Sequence, residues 1–588
     1  MESNIFYTNE RNVQIVIALL KAHDIHRVIV SPGTTNMTFV ASIQNDPWFH
    51  ILSSVDERSA AYLACGIASE TGEPVVISCT GATASRNYMP GLTEAYYRKL
   101  PVLAITSTRG NHKLGHLIDQ QIDRRNIPND IAMESVTVPM VKDPDDERMC
   151  EIEVNKAILA LKLNGGGPSH INLYTNYSKD FSVIELPNAN AIYRHTVFDK
   201  LPVIENGKRV AIFVGAHQRF TERQKKAIEN FCATHDSVVF IERTSGYNGK
   251  YAVCFNIIAQ QVQYHSELRD IDLLIQIGQV ATGLLWFNIK DVWRINEDGC
   301  LRDTYGKLRR VFMMPEETFF EHYSIDGSNH TEYLLACKDE INRVQQECPE
   351  LPFSNIWIAK QMSPKLPYNS VLHLGILNTL RSWSYVNIPD YVETKSNVGG
   401  YGIDGCVSTF IGSAICMPMK IHIGIFGDLA FFYDMNVLGN RHVGNNIRLL
   451  LINNGRGTEF RNYNHPCFFL GKYADEFLAA AGHYGNQSKR LVRDYAENLG
   501  FEYMFASSKE NFLMNIDRFT TDKSLDKPIL FEVFTSQQDE SNALELVQNI
   551  VKTDEQSQSH SIKQELKDTV KALVGENRIA GLKLLIKG

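Results

Sequence analysis

The sequence predicts an α/β protein: three doubly wound domains with mainly parallel sheets, followed by a helical C-terminal extension. Three observations predict it. Two apolar runs rich in β-formers, residues 421–426 and 447–452, flank a segment at 433–442 long enough for a helical crossover, so the two strands should be parallel. Residues 27–84 show a strand–turn–helix rhythm. Residues 209–295 alternate strand-like and helix-like stretches in the same way.

The first domain, residues 1–185, opens with a strand at 27–30 that enters the turn Ser31-Pro32-Gly33-Thr34-Thr35-Asn36. A second strand at 51–55 leads into Asp56-Glu57-Arg58-Ser59 and a helix of small residues at 60–69. A third at 74–79 ends at Thr80-Gly81-Ala82-Thr83-Ala84, and a strand at 170–174 closes the domain after Gly165-Gly166-Gly167-Pro168. The second domain, 186–350, begins with a polar stretch. It continues with strands at 209–215, 237–241, 273–278 and 292–295 and a helix at 221–234. It has no Gly-x-Gly-x-x-Gly, which favours a scaffold without a nucleotide. The third domain, 351–537, carries the runs at 421–426 and 447–452 and ends in a strand at 529–534. In the extension, 538–588, a helix at 540–551 precedes a polar linker at 554–559. Ile562, Leu566, Val570 and Leu573 then follow at amphipathic helix spacing, with a short apolar stretch at 579–586. Packing on the protein's own surface or on a neighbouring subunit is the plain reading, and a membrane-surface or partner-docking helix the alternative.

Length and composition fit a soluble globular protein. A chain of 588 residues makes about three to four domains of ordinary size. The net charge of −8 gives no basic footprint for nucleic acid. Eleven cysteines without a Cys-x-x-Cys pair speak against a disulfide framework and a zinc site, and suit a reducing cytosol. The first residues lack the basic start and apolar core of a signal peptide, and no stretch has the eighteen apolar residues of a membrane span. The expectation is a cytoplasmic protein.

The chemistry sits at the ends of the two apolar runs. Gly427-Asp428-Leu429 follows the first, and Asn453-Asn454 the second. Parallel strands put both at one carboxyl edge, where open α/β sheets bind ligands. A carboxylate and an amide oxygen are hard ligands suited to Mg²⁺, and a seat of that kind usually holds a diphosphate. The bland alternative is two strand-ending turns.

The run Gly427-Asp428-Leu429-Ala430-Phe431-Phe432-Tyr433-Asp434-Met435-Asn436-Val437-Leu438, with Asn453-Asn454 beyond it, resembles the diphosphate-binding motif of thiamine-diphosphate enzymes. In detail it is most like the menaquinone-pathway synthases that join 2-oxoglutarate to isochorismate. The resemblance covers roughly 530 residues. It implies thiamine diphosphate and Mg²⁺ as cofactors. Asp428, the Asn454 side chain and the Arg456 carbonyl would be the metal ligands, with Gly427, Leu429 and Ala430 beside the diphosphate. It also implies that Glu57 hydrogen-bonds the aminopyrimidine ring, whose imino tautomer removes the thiazolium C2 proton. Without the resemblance, Glu57 reads as an acidic first helical turn. Ile403, in Gly402-Ile403-Asp404-Gly405, would bend the cofactor. Asn378-Thr379 and Phe460 match residues near it, and Arg109 and Gln120 match residues that contact substrate.

Three positions depart from the family pattern. Thr35 and Val398 stand where the family has arginines that clamp substrate carboxylates, and neither can supply bidentate anion recognition. Glu459 stands where the family has an aliphatic residue. It would either handle protons on a bound intermediate or pair with Arg456 or Arg461. Lys395, Arg381, His422 and His465 are further possible substrate contacts, for each of which a structural role is the plainer reading. The resemblance thus implies an enzyme that decarboxylates a 2-oxo acid donor and transfers the acyl-anion equivalent to an unidentified acceptor. A simple decarboxylase giving an aldehyde is the alternative, and a non-catalytic cofactor-binding or regulatory protein a third reading. It also implies a homodimer or homotetramer, with Glu57 of one subunit meeting Asp428 of another.

Overall fold

The computed structural model describes residues 6–124, 127–282 and 287–552. The expected helix at 562–573 and the apolar stretch after it lie outside the described residues. Three sheets appear. The first orders its strands β2-β1-β3-β4-β6-β5, from β1 (Arg27–Val30), β2 (His50–Ser53), β3 (Val75–Thr80), β4 (Val102–Thr108), β5 (Glu134–Val138) and β6 (Ser169–Tyr174). Seven strands make the second: β7 (Tyr193–Thr196), β8 (Val210–Val214), β9 (Val238–Ile241), β10 (Ala252–Val253), β11 (Asp270–Ile277), β12 (Asn288–Ile295) and β13 (Leu308–Met313). The third orders its strands β15-β14-β16-β17-β19-β18, from β14 (Val371–Leu374), β15 (Glu393–Lys395), β16 (His422–Gly427), β17 (Ile447–Asn453), β18 (Glu502–Ala506) and β19 (Ile529–Phe534). Every pairing in the first and third sheets is parallel.

The expected doubly wound α/β architecture is therefore present. The chain forms two compact units: the described residues up to Pro202 with Val292–Met314, and Val203–Asp291 with the described residues from Pro315. The physical reason for the sheets is legible in β17, seven residues long and buried throughout, five of them isoleucine or leucine. A strand covered on both faces needs a continuous apolar run rather than alternation. Among the described residues no helix is long and apolar enough to cross a membrane.

Two packing features show how the helices are fixed. The helix Glu57–Thr71, rich in alanine, lies against Met89–Arg98 at Gly91, where an added Cβ would fall 2.4 Å from the Cβ of Ala61. The Cys65 thiol donates to the Gly91 carbonyl at 3.2 Å. In the second unit, Ser536 caps the helix Gln537–Gln548, and Glu540 in its first turn is buried. The Glu540 carboxyl accepts from the Thr535 hydroxyl at 2.8 Å, the Asn355 amide at 3.0 Å and Asn378 Nδ2 at 3.2 Å. Burial outweighs these bonds and pushes it up to about 7.

Gly91→Ala is expected to destabilise the first unit by about 1–3 kcal/mol through overpacking, read as a lower urea midpoint. Glu540 binds its proton more tightly in the folded than in the unfolded chain, so its contribution to stability is lost as pH rises from about 4.5 to about 7. In Glu540→Gln that fall, roughly 1–3 kcal/mol at most, should disappear from urea midpoints measured across the same pH range.

Candidate active site

The third sheet carries the densest cluster. Gly427 of β16 lies opposite Ile452 of β17, so Asp428 and Asn454 leave adjacent parallel strands at one edge. The helix after β16 begins at Asp428 itself, Asp428–Asp434, rather than at 433 as the crossover reading expects.

Asp428 is 2 % exposed, and its carboxylate is fixed from three sides. Oδ1 accepts from the Leu429 amide at 2.9 Å, and Oδ2 from the Gly455 amide at 2.7 Å. Nε2 of His483 lies 2.9 Å from the same Oδ2. Gly455 adopts φ +78°, a left-handed turn that bends the chain after Asn454 back toward Asp428. The two asparagines do different work. Asn453 is fully buried: Nδ2 donates to Glu532 Oε1 at 2.7 Å, and Oδ1 accepts from Asn486 Nδ2 at 3.0 Å. Asn454 instead holds a buried side-chain oxygen with no hydrogen-bond partner. An orphaned acceptor of this kind costs about 1–3 kcal/mol unless something satisfies it. A hard cation between Asp428 and Asn454 would do so, and the donor set fits Mg²⁺. Arg456 gives its side chain to Asp475 at 2.7 Å, so any ligand role would fall to its main chain.

Around this pair the other expected residues take defined places. A Cβ on Gly457 would meet the Phe460 ring at 3.2 Å and Leu429 Cδ1 at 3.4 Å, so Phe460 lies close to the Asp428 turn. Ala430 is buried behind it, and Ile403 is half-buried just before the helix Cys406–Cys416. Asn378 opens the helix Asn378–Ser384 after β14 and is tied to Glu540, while the buried Thr379 hydroxyl accepts from Asn355 Nδ2 at 3.1 Å.

Glu459 has a partner that sequence proximity does not suggest. Arg381 donates to both its carboxylate oxygens, at 2.9 and 2.5 Å. Arg456 and Arg461, the expected partners, both go to Asp475. Burial opposes ionisation of Asp475, but the two arginines hold it below the ordinary carboxylate range. Of the other possible contacts, His422 is fully buried inside β16, and burial pulls it down to about 4. Nδ1 of His465 accepts from the Cys467 amide, and its ring lies 5.4 Å from that of Phe460. Lys395 reaches Ser413 Oγ at 3.4 Å. His483 is the residue that sequence reasoning missed.

In the first unit, Glu57 is the first residue of the helix capped by Asp56, and its Oε2 accepts from Asn87 Nδ2 at 3.2 Å. Arg109 follows β4 and donates to the Tyr177 hydroxyl at 2.7 Å, with its guanidinium 5.7 Å from that ring's centre. Gln120 is exposed, at φ +56°. Thr35 is buried: its hydroxyl donates to the Ser107 carbonyl at 2.8 Å and also contacts the Thr80 hydroxyl. Val398, in the second unit, is buried as well.

A family model described as "Thiamine pyrophosphate enzyme, N-terminal TPP binding domain" matches residues 11–127. The 2-succinyl-5-enolpyruvyl-6-hydroxy-3-cyclohexene-1-carboxylate synthase of Bacteroides thetaiotaomicron is 27 % identical over 556 residues, covering 92 % of this chain and 98 % of the relative. The protein of the same name from Phocaeicola vulgatus is 29 % identical over 559 residues, with the same two coverages. That of Flavobacterium johnsoniae is 28 % identical over 475 residues, 76 % of this chain and 84 % of the relative. With the family match at its amino-terminal end and this likeness along nearly its whole length, the chain carries a thiamine-diphosphate-binding domain and is similar to these synthases.

Proposed function

We propose that this protein is a thiamine-diphosphate- and Mg²⁺-dependent carboligase, which decarboxylates a 2-oxo acid and joins the remaining acyl unit to an acceptor through a new C–C bond. The single observation that carries the metal half of this reading is the buried, orphaned Asn454 oxygen one residue before Gly455, whose amide holds the Asp428 carboxylate. Bound thiamine diphosphate supplies a carbon nucleophile and an electron sink for loss of CO₂. The chain's own residues do the rest. Asp428, Asn454 and the main chain at Arg456 would hold the cation and, through it, the diphosphate. Glu57 would hold a proton at the pyrimidine ring nitrogen, and Phe460 with Leu429 would keep water from the reacting edge. Arg109, after β4, is the group best suited to a donor carboxylate. The protein would act in the cytoplasm as a homo-oligomer, Glu57 of one subunit serving with Asp428 of another.

The relatives are named for a product with a succinyl and a carboxylate group. This chain offers a tied threonine hydroxyl at position 35 and a buried valine at 398 where the resemblance implies arginines. The substrates here would therefore carry fewer carboxylates, or carry them elsewhere.

CO₂ release from a panel of 2-oxo acids, with thiamine diphosphate and Mg²⁺, should single out one donor and be lost in Glu57→Gln. An added acceptor should divert the product from aldehyde to a longer carbon chain; aldehyde alone, whatever the acceptor, would favour the decarboxylase. Asn454→Ala should weaken Mg²⁺-dependent binding of thiamine diphosphate by about tenfold or more, measured by calorimetry. Unchanged affinity would remove Asn454 from the metal site.

A further inference from the structure

The Arg381–Glu459 pair lies at the carboxyl edge of the third sheet. Arg381 lies in the helix after β14, and Glu459 in the short turn Thr458–Arg461 after β17. β16 runs between those two strands, so the pair bridges across the end of β16, where Gly427-Asp428 sits. It neighbours Phe460, which lies close to Leu429. The side chains keep 30 % and 15 % of their exposure, so the pair borders open space rather than the core. Geometrically it is the strongest kind of ion pair: a guanidinium fork with both donors on one carboxylate.

A lone arginine in that position would be an anion seat, because a half-buried guanidinium needs a counter-charge and presents a fork shaped for carboxylate. Glu459 supplies that counter-charge from within the chain. We propose that Glu459 is a specificity-determining residue: by occupying Arg381 it cancels the cation beside the cofactor site, so that the substrate part seated there is an uncharged, hydrogen-bonding group rather than a carboxylate. This rests on the thiamine-diphosphate site being where the previous section puts it. It points the same way as Thr35 and Val398, which stand where the resemblance implies arginines.

The test is direct binding of succinate and 2-oxoglutarate by titration calorimetry to the wild type, Glu459→Gln and the double variant Glu459→Gln/Arg381→Met. Glu459→Gln keeps the shape of the side chain but removes its charge and one of the two acceptors that hold the guanidinium. The expected result is a gain in dicarboxylate affinity of at least tenfold over wild type in the single variant, abolished in the double variant. No gain in a folded Glu459→Gln protein would overturn the proposal, as would the same gain in the double variant. Thiamine diphosphate and Mg²⁺ are titrated separately into the same three proteins. Absence of cofactor binding in the wild type would count against the cofactor site, whereas the carboxylate result tests Glu459 on its own. Circular dichroism melting of each variant identifies one that fails to fold. In that case Glu459→Leu, which also removes the charge, replaces Glu459→Gln, with the same results expected.

Discussion

Everything at the carboxyl edge of the third sheet depends on how the Asp428 carboxylate is held. A buried carboxylate is expensive unless every lone pair is directed at something. Here two backbone amides and one imidazole take three of the roughly four acceptor sites, from Leu429, Gly455 and His483, which leaves one for a cation. The Gly455 amide is available only because that residue turns left-handed. The same turn brings Asn454 beside Asp428. The neighbouring Asn453 spends its polar atoms on Glu532 and Asn486, which pins the turn to β19 and to the short helix Tyr484–Gln487. The carboxylate thus anchors the turn that carries Asn454.

What could be read from the sequence was local. Strands at 27–30 and 529–534 match the structure residue for residue, because a buried parallel strand announces itself as a continuous apolar run. Asp428 and Asn454 were legible for the same reason, since each follows such a run. The short β14 and β15 carry histidine, glutamate and lysine and were not marked out. The expected helix at 540–551 is observed three residues earlier at both ends, set by Ser536 as its cap.

Long-range pairings left no trace in the sequence. His483 is 55 residues from Asp428 along the chain, in a loop whose own composition says nothing of a carboxylate partner. Arg381 is 78 residues from Glu459, while the nearer arginines, 456 and 461, are drawn away by Asp475. A charge in sequence has many candidate partners, and only the ordering of the strands decides which arginine comes within reach. The order β14-β16-β17 places Arg381 and Glu459 on either side of the same strand end.

The tied hydroxyl of Thr35 links the turn after β1 to the two strands beside it. Its side chain is locked between the Ser107 carbonyl and the Thr80 hydroxyl, and Thr175 donates to its own carbonyl at 2.8 Å. Gly33 before it leaves no room either, since a Cβ there would fall 2.7 Å from Thr80. A long cationic side chain at position 35 would give up the hydroxyl's contacts with Thr80 and Ser107. Position 35 is therefore coupled to β3 through Thr80 and to β4 through Ser107, so a change of side chain there is felt by two strands at once.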